Sequence, residues 1–431
     1  MTRINIADGI TLNIIKSDRF KTNLLKINFT LPLSEKTAPY AALLPMVLRR
    51  GCDKYPTMLE FNRQLEYLYE TVLGGGASKI GENEAITFNA SFLRNEMIPD
   101  GTDLLSDVIE MASDFLFKPY FVDGAFSAEY VESEKKNLCD RIEAEINNKG
   151  SYALKRLIDV MCEKESYSVS ALGTVESVSA ITARSLTDFY YGELAKAPIE
   201  IFFVGTCDEE ALTSKLCEVF APFKRSAVGY AESTVIEEVT EIKRVVEEMP
   251  VNQGKLTMGF RTGAYTAKKN SYIFTVFNEI FGGSPTSKLF ENVREKMSLC
   301  YYCSSRPVAP KGIMYISSGV KVGDEKRAEE EIMRQLEAMK KGEFSDRDIE
   351  LAKISIKNLM MSSYDDADRL ASSYLHKVIT GAELVPIEET IAKIETVTRE
   401  QIIEIANTVK LDTVYFLKGT NLDEGDDGDE E

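Results

Sequence analysis

The stretch FGGSPTSKLFENVREKMSLCYYCSS, residues 281–305, decides the fold. A Gly-Gly stop closes an apolar helical pattern, and a charged segment containing Arg294 leads into a run of Tyr and Cys that is typical of a strand. Cys300 and Cys303 lack the second pair that a structural zinc site requires, and alternation along a strand predicts their thiols on opposite faces. The cysteines of this stretch therefore predict no zinc site, and the same stretch also contains Arg294 and Tyr301.

Two segments far apart in the chain carry one shared pattern. In both, an aliphatic residue and Thr precede a helical pattern, and an apolar strand pattern then ends in Gly-Thr. The Thr-to-Gly spacing is 23 residues from Thr182 to Gly205 and 21 residues from Thr398 to Gly419. Such a match predicts a duplicated architecture. The order of strand and helix patterns indicates an α+β fold rather than a strict β-α-β alternation.

The length of 431 residues, 44% of them hydrophobic, exceeds what a single core holds, which is about 250 to 300 residues. We predict an N-terminal α+β domain at 1–225, a polar linker at 226–246 and a C-terminal α+β domain at 247–420. The final segment NLDEGDDGDEE, residues 421–431, predicts an acidic disordered tail.

The composition restricts the classes of function. The chain has 69 acidic and 51 basic side chains and a formal net charge of -18, which repels phosphate backbones and anionic lipid heads. No run of about 18 apolar residues occurs, and no basic segment followed by a long apolar run opens the sequence. We therefore expect no nucleic-acid partner, no membrane association and a cytoplasmic location. The seven irregularly spaced cysteines also suit a reducing compartment.

The chain contains a single histidine, His376. A zinc site that needs two imidazoles therefore cannot be built within this chain. His376 lies in a helical pattern with Leu370, Tyr374 and Val378 nearby, which favours a helix-packing or helix-surface role over catalysis.

Together these segments resemble the pitrilysin/insulinase family of zinc metallopeptidases, in the branch similar to mitochondrial processing peptidase subunits. The resemblance covers essentially the whole chain. Residues 281–305 resemble that family's signature Leu-Phe-x-x-Val-Arg-Glu-Lys-x-Gly-Leu-x-Tyr, and the ending VTREQIIEIANTVKLDTVYFLKG, residues 397–419, adds to the match. The resemblance implies two homologous halves, each a mostly antiparallel sheet covered by helices, that form a clam-like shell.

The resemblance also indicates where active members bind zinc. They carry His-x-x-Glu-His on the first long helix, followed by a Lys-Gly-Thr-like turn that matches the Arg-Gly-Cys beginning at Arg50. In that register Ala42 and Met46 occupy the two histidine positions, and Pro45 occupies the position of the glutamate general base. Ala has no ligand atom, a thioether is poorly matched to zinc, and Pro cannot accept a proton from water.

The third zinc ligand of active members is a glutamate on a later helix, seven residues after another glutamate. Here Glu134 matches the first of these two positions as a vestigial glutamate, and Arg141 falls at the ligand position. A guanidinium cannot bind a metal cation, so we expect no cofactor in this chain. For Arg49 and Arg50, a solvated helix end is favoured over side chains that face a partner or a cleft.

In active relatives an Arg and a Tyr seven residues later hold the substrate peptide and its oxyanion, and these match Arg294 and Tyr301. The resemblance therefore implies the non-catalytic subunit of a heterodimeric zinc peptidase. A homologous partner would carry His-x-x-Glu-His and the zinc, and this chain would contribute a peptide-binding strand edge and the Arg/Tyr pair. The alternative is a non-peptidase scaffold or peptide-binding protein of the same fold, including a homodimer when isolated.

Overall fold

The computed structural model of the chain describes residues 1–223 and 225–420. The acidic tail predicted at 421–431 lies outside these residues. The chain folds into two compact units, each with one main sheet. The first unit comprises Met1–Ala144, Val169–Glu232 and Ser362–Leu384, and the second comprises Glu145–Ser168, Ser233–Met361 and the part from Val385 onward.

The strands and helices alternate in blocks along the chain. In chain order the strands are β1 (Thr2–Ala7), β2 (Ile10–Lys16), β3 (Thr22–Pro32), β4 (Val72–Ile80), β5 (Asn83–Leu93), β6 (Phe121–Val122), β7 (Ala125–Phe126), β8 (Ile199–Gly205), β9 (Lys243–Met249), β10 (Gly254–Arg261), β11 (Cys300–Val308), β12 (Ile313–Val320) and β13 (Lys410–Gly419). The α-helices are α1 (Ala38–Leu48), α2 (Met58–Tyr67), α3 (Leu104–Phe117), α4 (Ala128–Ala144), α5 (Lys149–Met161), α6 (Val175–Ser179), α7 (Ala183–Gly192), α8 (Glu209–Phe220), α9 (Ser271–Asn278), α10 (Glu325–Lys340), α11 (Asp346–Ser362), α12 (Ala367–Thr380), α13 (Ile387–Glu395) and α14 (Arg399–Asn407). Two π-helical segments, Glu279–Gly283 and Leu289–Lys296, follow α9.

The two main sheets share one topology. Their strand orders are β1-β2-β8-β3-β5-β4 and β11-β12-β10-β13-β9, so β2-β8-β3-β5-β4 corresponds to β9-β13-β10-β12-β11. In both series the first pair is parallel and the other pairs are antiparallel. This confirms the predicted α+β fold with two homologous, mostly antiparallel halves. The clam-like arrangement of the halves stays a prediction.

The repeated Thr of the sequence pattern begins a helix in each half. The Thr182 hydroxyl accepts a hydrogen bond from the backbone N–H of Ser185, and the Ser185 hydroxyl accepts one from the backbone N–H of Thr182. Thr398 and Gln401 form the same reciprocal pair at the start of α14. These capping boxes satisfy N–H groups that the first helical turn leaves open. The helix then leads into the strand, β8 or β13, that ends at the repeated Gly.

Each compact unit contains one helix from the opposite half of the chain. In the second unit α5 packs on β10 and β13, and in the first unit α12 packs on β3 and β8. Gly259 on β10 permits the close approach of α5, because a Cβ atom there would lie 2.5 Å from Sδ of Met161. The segments of the two units thus alternate along the sequence, whereas each predicted domain is one continuous segment. The segment 226–246 is divided between the units, and its last residues begin β9.

Each unit has its own apolar core between its sheet and its helices. Phe29, Phe88 and Phe115 belong to the core of the first unit, and Phe260 and Phe277 belong to the core of the second. Burial of such rings is the main favourable contribution to folding. Among the described residues no helix has the length and apolar character that crossing a bilayer requires.

Candidate functional site

The first helix presents no metal ligand at the positions predicted from the family pattern. Ala42 and Pro45 are buried on α1, and Met46 is half-buried on the same helix. The packing of α1 against β4, β5 and α4 accounts for its almost entirely apolar sequence. The helix that carries zinc ligands in active members is here a packing element.

On α4 the vestigial Glu134 is buried and fully engaged. Arg50 donates a hydrogen bond from Nε to Oε1 of Glu134, and Asn137 donates from Nδ2 to Oε2 at 3.0 Å. A second Arg50 nitrogen, Nη2, donates to the hydroxyl of Ser133 at 2.7 Å. Arg141, at the predicted ligand position, is exposed. The guanidinium of Arg50 thus supplies the positive charge beside the carboxylate of Glu134.

The interpretation of Arg49 and Arg50 as a solvated helix end was wrong. Arg49 lies over the ring of Phe61 at 4.9 Å and donates to Oδ1 of Asn62 at 2.7 Å, and burial lowers its pKa. Both arginines are held by side chains of other elements. Arg50 and Glu134 are 84 residues apart in the sequence, so no local pattern predicts their contact. The only sequence signal for it is the opposite charge of the two side chains.

These residues do not fit a zinc ion. Ala42, Pro45 and Arg141 offer no donor atom for a metal, and the guanidinium of Arg50 already neutralises Glu134. Across residues 1–223 and 225–420, no group of three or more His, Cys, Asp or Glu side chains has metal-binding proximity. His376 lies on the exposed side of α12.

Arg294 and Tyr301 are both accessible in the second unit. Arg294 is on the π-helical segment Leu289–Lys296, its side chain is 40% exposed, and its guanidinium lies over the Phe290 ring at 4.4 Å. Its Nε is 3.5 Å from Oε1 of Glu295. Tyr301, at the start of β11, is 62% exposed. The π-helical segment packs on β11, which brings the arginine to the end of the strand that carries the tyrosine.

The prediction that Cys300 and Cys303 lie on opposite faces of a strand was wrong. Cys300 pairs with Val320 and Cys303 pairs with Ser318, so three residue steps on β11 match two steps on β12. This bulge interrupts the alternation of side chains, and both thiols are buried in the apolar core of the second unit. Tyr301, between them, points away from that core.

A buried charged cluster in the second unit was missed at the sequence level. Arg261 donates to Asp412 at 2.9 Å and to Glu165 at 2.8 Å, and Nζ of Lys311 lies 2.6 Å from the second oxygen of Glu165. Burial alone would raise the pKa of Glu165, but its hydrogen bonds with both cations outweigh burial and hold the pKa below its usual value. The cluster ties the segment after α5 to the sheet of this unit.

The edge strand β4 of the first unit is a further accessible feature. It is the outermost strand of its sheet, Gly74 and Gly76 have no neighbour near their Cα hydrogens, and Val72 is exposed. A pocket of about 340 Å³ adjoins it, lined in part by Lys26 and Asn89. The backbone of β4 therefore offers an open edge for pairing with an extended chain.

Comparisons with known proteins bear on these positions. A family model described as the peptidase M16 inactive domain matches residues 180–356. A relative from Bacillus subtilis (strain 168), named probable inactive metalloprotease YmfF, is 35% identical over 412 residues, which cover 96% of this chain and 96% of the relative. The chain belongs to the M16 peptidase family. The resemblance to the pitrilysin/insulinase peptidases is thereby confirmed.

Solved structures agree with the fold of this M16 chain. A conserved protein from Enterococcus faecalis V583 is 27% identical, with a TM-score of 0.89 over 98% of this chain and 99% of that one. A peptidase M16 inactive domain from Pseudomonas fluorescens is 18% identical, with a TM-score of 0.80 over 98% and 99% of the two chains. The second likeness bears on the fold alone.

Proposed function

We propose that this M16 chain is the non-catalytic subunit of a heterodimeric zinc metallopeptidase. The observation that carries the proposal is that the family's functional residues are substituted in the first unit but kept in the second. In the first unit Ala42 stands at the position of a zinc-binding histidine and Pro45 at the position of the glutamate general base. In the second unit Arg294 and Tyr301 match the family's residues and are accessible. A homologous partner with an intact His-x-x-Glu-His would supply the zinc and the general base.

Arg294 and Tyr301 would act on the peptide and on the charge that develops at its scissile carbonyl. A guanidinium and a phenol hydroxyl are both hydrogen-bond donors, and donors placed beforehand at a developing oxyanion stabilise the transition state. The π-helical geometry around Arg294 supports this role, because π-helical turns are rare and occur frequently at functional sites.

The peptide would bind along the open edge of β4. An extended peptide that adds a strand to a sheet gains main-chain hydrogen bonds and tolerates varied sequences. Gly74 and Gly76 keep that edge free of side chains, which supports close approach of a second backbone. The proposal includes a cytoplasmic location, which the seven unpaired cysteines support.

A second candidate is a non-peptidase scaffold or peptide-binding protein of the same fold, including a homodimer of this chain. One observation favours it. The Arg294 guanidinium is already engaged by the Phe290 ring and by Glu295, which is the arrangement of a residue used for packing. In that case β4 would still bind peptides, but no partner would depend on Arg294 or Tyr301 for turnover.

Co-purification from the native source tests the proposal directly. A zinc-bearing M16 homologue is expected to elute with this chain, and the reconstituted pair is expected to cleave peptides. Arg294→Ala and Tyr301→Phe should then lower turnover by about one to three orders of magnitude without disturbing assembly. Lys296→Ala and Tyr302→Phe, on the same two elements, serve as matched controls.

Two results would change the assignment. Unchanged turnover in both Arg294→Ala and Tyr301→Phe would leave the scaffold role. Zinc-dependent cleavage by the carefully purified chain alone would contradict a non-catalytic role altogether.

A further inference from the structure

The bulge in β11 brings two thiols to one face of the strand. Because Cys300 and Cys303 pair with residues two positions apart on β12, their Cα atoms are separated by about two strand rises, roughly 6.8 Å. Disulfides span Cα separations of about 4.4 to 6.8 Å. The pair is therefore at the upper end of the range that a disulfide bridges, with both side chains in the same core.

The two thiols differ in their electrostatics. The interaction with the Cys303 thiol and the nearby Arg294 guanidinium lower the pKa of Cys300 despite its burial. The interaction with Cys300, together with burial, raises the pKa of Cys303. The pKa of Cys300 is thus the lower of the two, and in a thiol pair the cysteine with the lower pKa is the one that attacks first.

The surroundings distinguish this pair from a metal site. Within the part of the chain that the structure describes, Cys300 and Cys303 have no further His, Cys, Asp or Glu side chain close enough to form a metal site with them. Cys300 also retains more exposure than Cys303, 7% against 3%, and it lies at the start of an edge strand beside the exposed Tyr301. A small reagent would reach Cys300 first.

We propose that Cys300 and Cys303 form a reactive dithiol that closes to a disulfide by exchange with a low-molecular-weight disulfide. The Cys300 thiolate attacks one sulfur of the reagent, forms a mixed disulfide and releases one thiolate. Cys303 then loses its proton, attacks the Cys300 sulfur and displaces the second thiolate. Two protein thiols are oxidised and one reagent disulfide is reduced to two thiols, so atoms and electrons balance.

Closure of this disulfide acts on the residue between the cysteines. The bond would fix the backbone on both sides of Tyr301 and remove the ionisable thiol of Cys300 near Arg294. The site is independent of the proposed heterodimer, because every group in it belongs to this chain. It makes the strand that carries Tyr301 sensitive to the thiol–disulfide balance of its surroundings.

The test is non-reducing peptide mapping of the purified, reduced full-length chain after incubation with glutathione disulfide. The expected product is a peptide containing both Cys300 and Cys303 that is lighter by two hydrogen atoms and that dithiothreitol restores. In Cys303→Ser, glutathione should remain attached at Cys300, and in Cys300→Ser neither product should form. Cys162, which is buried and has its pKa raised to about 12 by that burial, is an internal control expected to stay unmodified.

Two outcomes would overturn the proposal. The first is that Cys300 and Cys303 both remain free thiols in the wild-type chain, whatever the other cysteines do. The second is a persistent glutathione adduct at Cys300 with no internal link. Both are read from the wild-type protein, so they stand even where a serine variant fails to fold.

Discussion

Arg50, in the turn after α1, donates a hydrogen bond to the buried carboxylate of Glu134 on α4. We predict that Glu134→Gln lowers the free energy of unfolding by about 1 to 2 kcal/mol, because it leaves a guanidinium that is only 23% exposed without its counter-charge. Chemical denaturation at neutral pH measures the change. Glu132→Gln removes an exposed carboxylate from the same helix and should have little effect. Equal losses in the two variants would contradict the prediction.

The charged cluster around Glu165 should be more sensitive. Glu165→Gln deprives the buried side chains of Arg261 and Lys311 of a shared carboxylate, and we expect a loss of about 3 to 5 kcal/mol. Because the folded pKa of Glu165 is lowered, its contribution is present above the usual carboxylate pKa and is lost as pH falls through the folded pKa. The wild-type advantage over the variant should therefore shrink in acid. Glu163→Gln, whose carboxylate pairs with Lys243 and is 53% exposed, is the control.

Glu84 on β5 should make stability fall as pH rises. It is buried, neither of its oxygens has a hydrogen-bond partner within the described chain, and burial raises its pKa to about 8. The unfolded carboxyl ionises near 4.5, so the folded state is penalised progressively from that pH up to about 8. At about 1.4 kcal/mol per pH unit, the upper limit of the penalty is about 5 kcal/mol.

Replacing this carboxyl tests the sign. Glu84→Gln should stabilise the protein at pH 8 and have a much smaller effect at pH 4.5, measured as the shift in denaturation midpoint across that interval. Glu143→Gln changes an exposed carboxyl and should show no such trend. A Glu84→Gln variant that is destabilised most at high pH would refute the assignment of a buried, neutral carboxyl.

Gly259 should tolerate no side chain while α5 keeps its position. Gly259→Ala would place a Cβ 2.5 Å from Sδ of Met161, and overpacking of this kind costs about 1 to 3 kcal/mol. Adding Met161→Ala should recover part of the loss. Gly74→Ala, also in a strand but with open space around it, should be close to neutral. If Gly259→Ala is as stable as the wild-type chain, α5 does not pack on β10 as closely as described.

Much of the fold follows from local sequence signals. The reciprocal caps at Thr182 and Thr398 are encoded within three residues, which is why the repeated helix-to-strand pattern could be predicted. The placement of α5 and α12 could not, because an apolar helix face is equally compatible with either sheet. That choice depends on contacts between residues far apart in the chain.

The candidate site also has features that the sequence predicts and features that only the tertiary structure shows. The loss of ligand atoms at Ala42 and Pro45 is visible in the sequence, because it depends only on residue type. The common face of Cys300 and Cys303 is not visible, because the bulge is set by the register of β11 on β12. The contact of Arg50 with Glu134 also depends on the packing of α1 against α4, and the local pattern at Arg50 indicated only an exposed helix end.

The alternation of the two units along the sequence affects how the chain folds during synthesis. Residues 362–384, which contain α12, leave the ribosome long after the sheet on which that helix packs has been translated. Until then the first unit lacks α12, which packs on β3 and β8. Helix α5 is also without β10 and β13, the strands on which it packs, because they have not yet been translated. Nascent chains that stop after residue 225 should therefore expose apolar surface and require chaperone protection, even though every strand of the first sheet is already present.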